Sequence, residues 1–115
     1  MRVMVLVKAT EDSEKGLLPK PEMFEAMGRF NEELVNAGIL LAADGLTASS
    51  KGKRIAFDGA SRTIIDGPFA EAKELIGGWA LLECRDLAEA VEWTKRFLGV
   101  VGEGETRVRP VFGPE

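Results

Sequence analysis

The amino-acid sequence predicts an α+β fold in which two helices cover one face of a small sheet. Apolar runs typical of strands open and close the chain, and two longer stretches have the three- and four-residue apolar spacing of amphipathic helices. A turn signal flanked by short apolar runs lies between these stretches. The elements therefore follow the order β-α-β, a hairpin, and then β-α-β again.

The first β-α-β unit has clear strand and helix signals. Residues 2–9 are almost continuously apolar, which predicts a strand buried on both faces. After a polar loop, Pro21 suits the first turn of a helix that ends near Gly38, a natural C-terminal stop. Residues 39–43 predict a second strand. The apolar stripe of the helix is formed by Met23, Met27, Phe30 and Leu34.

A hairpin and a second unit follow. Asp58-Gly59 predicts the hairpin turn. Asp86 and Glu89 have the spacing of a capping-box variant at the start of the second helix. The hairpin strands are predicted at 53–57 and 62–65, followed by a break at Asp66-Gly67-Pro68 and a short helical turn at 70–75. Gly77-Gly78 introduces a strand at 79–84, and the second helix runs from 87 to Gly99 with a surface pair between Glu92 and Arg96. The last predicted strand is 106–112.

This order is typical of a ferredoxin-like βαβ-hairpin-βαβ sandwich. With both helices on one face, the other face of the sheet would be open, yet the first strand is apolar on both sides. A second copy of the chain is the simplest cover, so we predict a homodimer packed sheet against sheet. We expect residues 1–115 to form a single domain, because no linker, repeat or low-complexity segment divides them.

Composition narrows the classes of function. The chain has 115 residues, of which 45% are hydrophobic and 30% charged, as in an ordered globular domain. Its net charge of −4 disfavours generic nucleic-acid binding, which neutralises phosphates. No apolar run suits a signal peptide or a membrane span, so we expect no membrane contact. The single cysteine, Cys84, fits a reducing cytoplasm and is predicted to be buried and inert.

The absence of histidine and tyrosine removes several catalytic chemistries. Histidine is the commonest general base near neutral pH and the commonest metal ligand. Ser-His-Asp and Cys-His sites are therefore excluded within this chain, and one cysteine cannot build a structural zinc site. We expect no metal and no resident cofactor. Catalysis would depend on carboxylates, lysine, arginine, hydroxyls, the thiol or a borrowed cofactor.

A family resemblance is carried by the run Asp66-Gly67-Pro68-Phe69-Ala70-Glu71-Ala72-Lys73-Glu74, followed by Gly77-Gly78-Trp79. This run resembles the signature of DGPF-type proteins in the YCII-related family, and the similarity extends over nearly the whole chain. The resemblance implies a dimeric ferredoxin-like fold of the dimeric α/β-barrel kind. It also implies a regulatory context, since many DGPF-type relatives are associated with extracytoplasmic-function sigma factors.

The chain departs from the catalytic residues suggested for this family. Some YCII-like proteins have a histidine on the first helix and an acidic residue near the second strand, suggested as an acid–base pair. The equivalent helix stretch here, residues 26–30, reads Ala-Met-Gly-Arg-Phe and has no imidazole. That catalytic role is therefore not transferred to this chain.

Asp66 and Asp44 are the candidate catalytic residues. Each follows an apolar strand, and strands that end at the same edge would bring the two carboxylates together as an acid–base pair. The alternative is that both are turn formers whose carboxylates accept local backbone N–H groups.

Asp66 is also a candidate ligand contact, together with Phe69, Lys73, Trp79 and Met27. Lys73 suits an anionic ligand, although a solvated helical turn with cancelling charges is the more common explanation. Met27 would line an apolar pocket against Trp79, although a Met-rich helix face is more often core. Phe69 would close that pocket or only anchor its loop.

Two arginines, Arg107 and Arg109, alternate on the last predicted strand and would face one side together. They would pair with acids of a partner subunit or bind an anion.

Two functions of different classes stay open. The first is a small-molecule-binding or regulatory domain with a pocket near residues 66–69 and Lys73. The second is a cofactor-free lyase or isomerase in which Asp44 or Asp66 carries a proton. The first is favoured, because a chain without imidazole and phenol groups has little catalytic equipment.

Overall fold

Six strands and three helices form the part of the chain that the computed structural model describes, residues 1–69 and 75–113. The predicted turn at 70–75 therefore lies almost wholly outside the described residues. Within these ranges, no helix is both long enough and apolar enough to cross a membrane. In chain order the elements are β1 (Arg2–Lys8), α1 (Glu11–Glu14), α2 (Pro21–Asn36), β2 (Leu40–Gly45), a 3₁₀ turn (Ser49–Lys51), β3 (Lys53–Asp58), β4 (Ser61–Asp66), β5 (Ile76–Glu83), α3 (Leu87–Val101) and β6 (Thr106–Pro110).

Four strands form one antiparallel sheet in the order β2-β5-β1-β6, and β3 pairs with β4 in a separate two-stranded sheet. The connection from β1 to β2 runs through α2 and passes over β5. The connection from β5 to β6 runs through α3 and passes over β1. These are the two split β-α-β units of a ferredoxin-like fold. The predicted fold class is confirmed.

The core lies between the helices and one face of the four-stranded sheet. Val3 and Val5 of β1 are 0% and 5% exposed and belong to the same apolar cluster as Phe30 of α2. Burying a side chain of this kind contributes about 1.5–3 kcal/mol, which holds the helices on the sheet. Met4 and Leu6 point to the other face, because side chains alternate along a strand.

Helix α2 begins and ends as predicted. Pro21 occupies its first turn, where the missing N–H costs nothing. Of its apolar stripe, Phe30 and Leu34 are buried. Gly38 follows the helix with φ of 74°, a left-handed conformation that favours glycine. The next residue, Ile39, donates its N–H to the Leu34 carbonyl over 2.9 Å, which satisfies a carbonyl at the helix end.

Helix α3 starts as predicted but ends later. The Asp86 carboxylate accepts the N–H of Glu89 over 2.9 Å, as an N-cap residue does. The helix then passes through Gly99 and ends before Gly102, which has φ of 87°. The predicted stop at Gly99 is wrong. Continuing the helix lets Val100 pack against the core, which offsets the cost of a glycine inside the helix.

Arg96 of α3 pairs with a different acid from the predicted one. Its Nη2 lies 2.6 Å from Oε2 of Glu33 on α2, and its guanidinium lies 5.0 Å from the ring centre of Trp93. Glu92 instead binds Lys95 over 3.0 Å. The predicted Glu92–Arg96 pair is wrong, because Arg96 reaches across to the neighbouring helix, where aromatic contact also holds it.

One short helix, α1, was not predicted. Its first turn is closed by a reciprocal cap: Ser13 donates its N–H to Oγ1 of Thr10 over 3.1 Å, and Thr10 donates its N–H to Oγ of Ser13 over 2.9 Å. A capping box usually has Glu or Gln in the position of Ser13, so the sequence around Thr10 does not predict a helix start.

Strand β5 begins at Ile76, earlier than predicted. β1 pairs with Ile76 and Gly78 and passes over Gly77, which makes Gly77 the extra residue of a β-bulge. A Cβ on Gly78 would lie 3.3 Å from the Asp44 carbonyl oxygen. The glycine pair therefore allows an irregular strand start and a close approach of β2.

The hairpin of β3 and β4, here called the arm (Lys53–Asp66), stands apart from the four-stranded sheet. Every residue of the arm is exposed. Gly59 has φ of 57° in its turn, as the Asp58-Gly59 signal predicts. The radius of gyration is 15.9 Å, against about 13 Å for a compact chain of this length. The arm thus extends from the body of the protein.

Candidate functional site

The face of the four-stranded sheet that points away from the helices, here called the open face, carries two rows of cross-strand neighbours. Both rows have apolar side chains in the middle and an arginine at the β6 edge, and one row also has a carboxylate at the β2 edge. From β2 to β6, the first row is Asp44, Trp79, Leu6 and Arg107, and the second row is Ala42, Leu81, Met4 and Arg109.

The first row combines groups that recognise small molecules. A half-buried indole, Trp79, supplies a flat apolar surface. Asp44 and Arg107, both exposed, supply a hydrogen-bond acceptor and a donor of opposite charge. The prediction that Arg107 and Arg109 face one side together is confirmed, because they pair with Leu6 and Met4 of β1.

The first row lies near one end of the sheet, here called the rim, where β1 and β2 end and β5 and β6 begin. Asp44 is followed by only one further residue of β2, and Trp79 is the fourth residue of β5. Backbone hydrogen bonds continue past the strand ends and hold the rim together. They run from the N–H of Ala9 to the carbonyl of Leu75 over 2.8 Å, and from the N–H of Leu46 to the carbonyl of Gly77 over 2.9 Å.

The segment Asp66–Phe69 is fastened to the turn that follows β2. Phe69 donates its N–H to Oγ of Ser49 over 3.1 Å. Ser49 donates its own N–H and hydroxyl to the carboxylate of Glu14, the N–H over 3.0 Å. A Cβ on Gly67 would collide with the Ser49 carbonyl oxygen, so only glycine fits there. Phe69 is half-buried, and its segment is anchored close to the rim.

Asp66 ends β4 and closes the base of the arm. Its Oδ1 lies 2.6 Å from Nζ of Lys53, the residue opposite it in the hairpin. Both side chains are well exposed, so the ion pair contributes about 0–1 kcal/mol. Asp44 lies on β2 of the four-stranded sheet, whereas Asp66 lies on β4 of the two-stranded sheet, so β2 and β4 do not end at the same sheet edge. Catalysis by either carboxylate, and a pairing of the two, stay predictions.

Met27 and Trp79 lie on opposite sides of the four-stranded sheet. Met27 belongs to α2, which packs on the core face. Trp79 points away from the core, because its neighbour Ala80 packs against the core and side chains alternate. The expected pocket between Met27 and Trp79 is therefore wrong, while each stays a predicted ligand contact separately. Lys73 lies outside the described residues.

A shallow, open depression of about 450 Å³ lies beside the N-terminal half of α3. Of the residues proposed from the sequence as ligand contacts, the four that the structure describes, Met27, Asp66, Phe69 and Trp79, are not among its walls. Two pairs within it are already engaged, Arg85 with Glu89 at 3.4 Å and Arg96 with Trp93. It is lined by Arg85, Asp86, Ala88, Glu89, Glu92, Trp93 and Arg96.

Among the ionisable groups of residues 1–69 and 75–113, two have clearly shifted pKa values. Burial raises the pKa of the Cys84 thiol, and the nearby Glu89 carboxylate adds to this rise. Cys84 is 4% exposed, which confirms the predicted burial, and its inertness stays a prediction. A hydrogen bond from Lys8 lowers the pKa of the exposed Glu105 carboxyl at the rim.

Among residues 1–69 and 75–113, no group of three or more His, Cys, Asp or Glu side chains is placed to hold a metal ion.

The sequence alone does not point to Ser49 and Glu14, which hold the segment Asp66–Phe69 in place. They are 35 positions apart, and nothing in the local pattern links them. The polar stretch around Ser49, residues 47–52, shows no local pattern that indicates these bonds.

The chain belongs to the YCII-related family, since residues 1–112 match the YCII-related domain. The family resemblance is confirmed at this level, and the narrower DGPF-type assignment stays a prediction. No curated protein matches the chain.

One solved structure with a similar fold is 5-chloro-2-hydroxyhydroquinone dehydrochlorinase (TftG) from Burkholderia phenoliruptrix AC1100, in complex with 2,5-dihydroxybenzoquinone. The TM-score is 0.53 and the identity 15%, over 99% of this chain and 96% of that chain. At this identity the likeness shows a shared fold.

Proposed function

We propose that this protein binds a small, flat organic molecule with polar edges on the open face beside Trp79, and that it does so as a homodimer. The observation that carries the proposal is the first cross-strand row, in which Trp79 and Leu6 lie between Asp44 and Arg107. Neighbours across antiparallel strands have Cβ atoms about 5 Å apart, so the row spans roughly 15 Å from Asp44 to Arg107, and a ring over Trp79 and Leu6 would lie between the two charges.

The chemistry of the row defines the class of ligand. Trp79 would stack on a ring. Arg107 suits a carboxylate or phenolate oxygen, and Asp44 would accept a hydrogen bond from a hydroxyl group. The ligand named for the similar solved structure, 2,5-dihydroxybenzoquinone, has a flat ring with hydroxyl and carbonyl groups at its edge. That chemistry supports hydroxylated aromatic or quinonoid molecules as the class to test.

A second copy of the chain would supply the other wall of the site. Ligand sites usually bury most of the surface of a small molecule, which a single open sheet face does not do. Another sheet packed about 10 Å away would enclose the ligand and would also bury Met4 and Leu81. The anchored segment Asp66–Phe69 would then border the site at the rim.

The two tryptophans of the chain provide a direct test. Trp93→Phe leaves only Trp79 as a fluorophore, and Trp79→Phe leaves only Trp93, which packs near Phe30 on the helix side. Titration with 2,5-dihydroxybenzoquinone and with hydroxybenzoates should quench the tryptophan fluorescence of the Trp93→Phe variant saturably. The fluorescence of the Trp79→Phe variant should stay almost unchanged. Asp44→Asn and Arg107→Gln should each weaken binding at least about fivefold. Equal quenching of both tryptophan variants would contradict the proposed site.

A cofactor-free enzyme that uses Asp44 or Asp66 for proton transfer is the second candidate. Asp44 is favoured over Asp66, because it lies beside Trp79 whereas Asp66 is engaged by Lys53. If the protein turns over a ligand of this class, Asp44→Asn should abolish turnover while Asp66→Asn retains most of it. Product formation measured by chromatography decides between binding alone and catalysis.

A further inference from the structure

One face of the arm, here called its apolar face, carries three large apolar side chains together with the charged Lys53, Arg62 and Asp66, and the other face is largely polar. Ile55, Phe57 and Ile64 lie on the same face and are 70%, 65% and 65% exposed. Ile55 lies opposite Ile64, and Phe57 lies opposite Arg62, whose guanidinium is 5.5 Å from the Phe57 ring centre. The other face carries Arg54, Ala56, Asp58, Ser61, Thr63 and Ile65.

The apolar face of the arm needs a cover that the chain itself does not supply. An antiparallel hairpin with alternating sides normally buries its apolar side, and an isolated two-stranded hairpin is only marginally stable in water. Within residues 1–69 and 75–113, the three apolar side chains remain mostly exposed. The other residues, 70–74 and 114–115, contain no large apolar side chain.

The base of the arm is closed by two contacts and packs against the turn that follows β2. Lys53 and Asp66 form an ion pair at the open end of the hairpin, where they lie opposite each other. Next to them, Gly67 donates its N–H to the carbonyl of Gly52 over 3.0 Å. Gly67 is packed directly against Ser49. A hairpin held in this way presents its apolar face in a defined direction, as a surface for binding must.

We propose that the apolar face of the arm packs against a second copy of this chain, with each copy receiving the arm of the other. The interface is then isologous and closes at two subunits. This inference rests on the homodimer of the proposed function and extends it, because the arm becomes the part of each subunit that reaches across to its partner.

The area of contact favours a second copy as the occupant. Four strands about 4.8 Å apart and about 20 Å long give the open face a footprint of roughly 400 Å². A stable interface buries about 800 Å² of accessible surface on each partner, which is more than the flat footprint of the open face. By the same spacings the arm covers roughly 200 Å². Each subunit gains this footprint twice, once from its own arm and once where it receives the arm of the other, so the arms together about double the footprint of the contact.

Two neighbouring isoleucines allow a matched test. Ile64 lies on the apolar face and Ile65 on the opposite face, so Ile64→Thr and Ile65→Thr make the same chemical change one residue apart. Threonine keeps the β-branch that favours a strand. Analytical ultracentrifugation over a concentration series, without ligand, gives the dimer dissociation constant, and circular dichroism checks that each variant is folded.

Ile64→Thr should weaken dimerisation about tenfold, and Ile65→Thr should change it less than about twofold. Phe57→Ser is a second variant on the apolar face and should act like Ile64→Thr. Equal effects of Ile64→Thr and Ile65→Thr, or an unchanged dissociation constant in the Phe57 and Ile64 variants, would overturn the role of the arm. Quenching of Trp79 by ligand would still stand in that case, so the two proposals fail separately. A wild-type chain that stays monomeric throughout would exclude a second copy and leave another protein as the occupant.

Discussion

The backbone N–H of Phe69 donates to the hydroxyl oxygen of Ser49 over 3.1 Å and so ties the segment after the arm to the turn after β2. Ser49 is itself held by the Glu14 carboxylate, which accepts its N–H and its hydroxyl. One serine therefore connects three segments that are distant in the sequence. The position of the arm and of Phe69 relative to the rim depends on this connection.

Replacing Ser49 should destabilise the protein measurably. Ser49→Ala removes the acceptor for Phe69 and one donor to Glu14, and we expect the free energy of unfolding to fall by roughly 2 kcal/mol. Urea denaturation followed by circular dichroism measures this change. The neighbouring Ser50 is exposed, so Ser50→Ala should change stability by less than about 0.5 kcal/mol. Similar losses in both variants would show that the contacts of Ser49 contribute nothing specific.

Two glycines should respond to alanine with opposite signs. Gly67→Ala places a methyl group against the Ser49 carbonyl oxygen and should lower the free energy of unfolding by about 1–3 kcal/mol. Gly28 lies on exposed α2 with nothing within 4 Å of its added Cβ, so Gly28→Ala should raise stability by about 0.5–1 kcal/mol. Thermal unfolding of the two variants compares them directly. A stable Gly67→Ala protein would mean that Ser49 can move away from the added methyl group.

Arg96 should couple energetically to Glu33 and not to Glu92. A double-mutant cycle with Arg96→Met and Glu33→Gln should give a coupling free energy of about 0.5–1 kcal/mol, a modest value because both side chains are about half exposed. The same cycle with Glu92→Gln should give a coupling below about 0.3 kcal/mol, since Glu92 pairs with Lys95. Unfolding in urea supplies all the values. A larger coupling to Glu92 would restore the pair predicted from helix spacing.

The buried thiol of Cys84 should make stability depend on alkaline pH. Burial raises the folded pKa of Cys84 above its ordinary value of 9.0, so the unfolded chain loses this proton first. The stabilising contribution is complete below about pH 9 and is lost as the pH rises through the folded pKa, at up to about 1.4 kcal/mol per pH unit. Cys84→Ala should remove this part of the decline when unfolding is measured from pH 8 to 10, roughly the range of the thiol. Parallel pH profiles of the two proteins would contradict the assignment.

The sequence predicts the fold well, because the signals for its main elements are local. The apolar strand β1, the helix that begins at Pro21 and the hairpin turn at Gly59 each follow from neighbouring residues. The end of α3 was misplaced, because the packing of Val100 against the core outweighs the local preference of Gly99 to stop a helix. Tertiary contact decided that boundary, and a single sequence does not show it.

The candidate site was predictable only in part. Trp79 and Asp44 were recognised as single residues, but their place in one cross-strand row depends on the register between β2 and β5. Met27 was grouped with Trp79, because sequence spacing does not say which side of a sheet a helix covers. The bonds of Ser49 join positions that only the folded chain brings together.

The charges of the open face also bear on symmetry. Arg107 and Arg109 lie along one edge and Asp44 along the other, so the face has a lateral electrical polarity. If two such faces meet about a two-fold axis parallel to the strands, β6 of each copy lies over β2 of the other and opposite charges meet. An axis in the same plane but across the strands would bring four arginines together, which Coulomb repulsion disfavours. Three side chains thus select the direction of the axis about which a dimer of this protein would form.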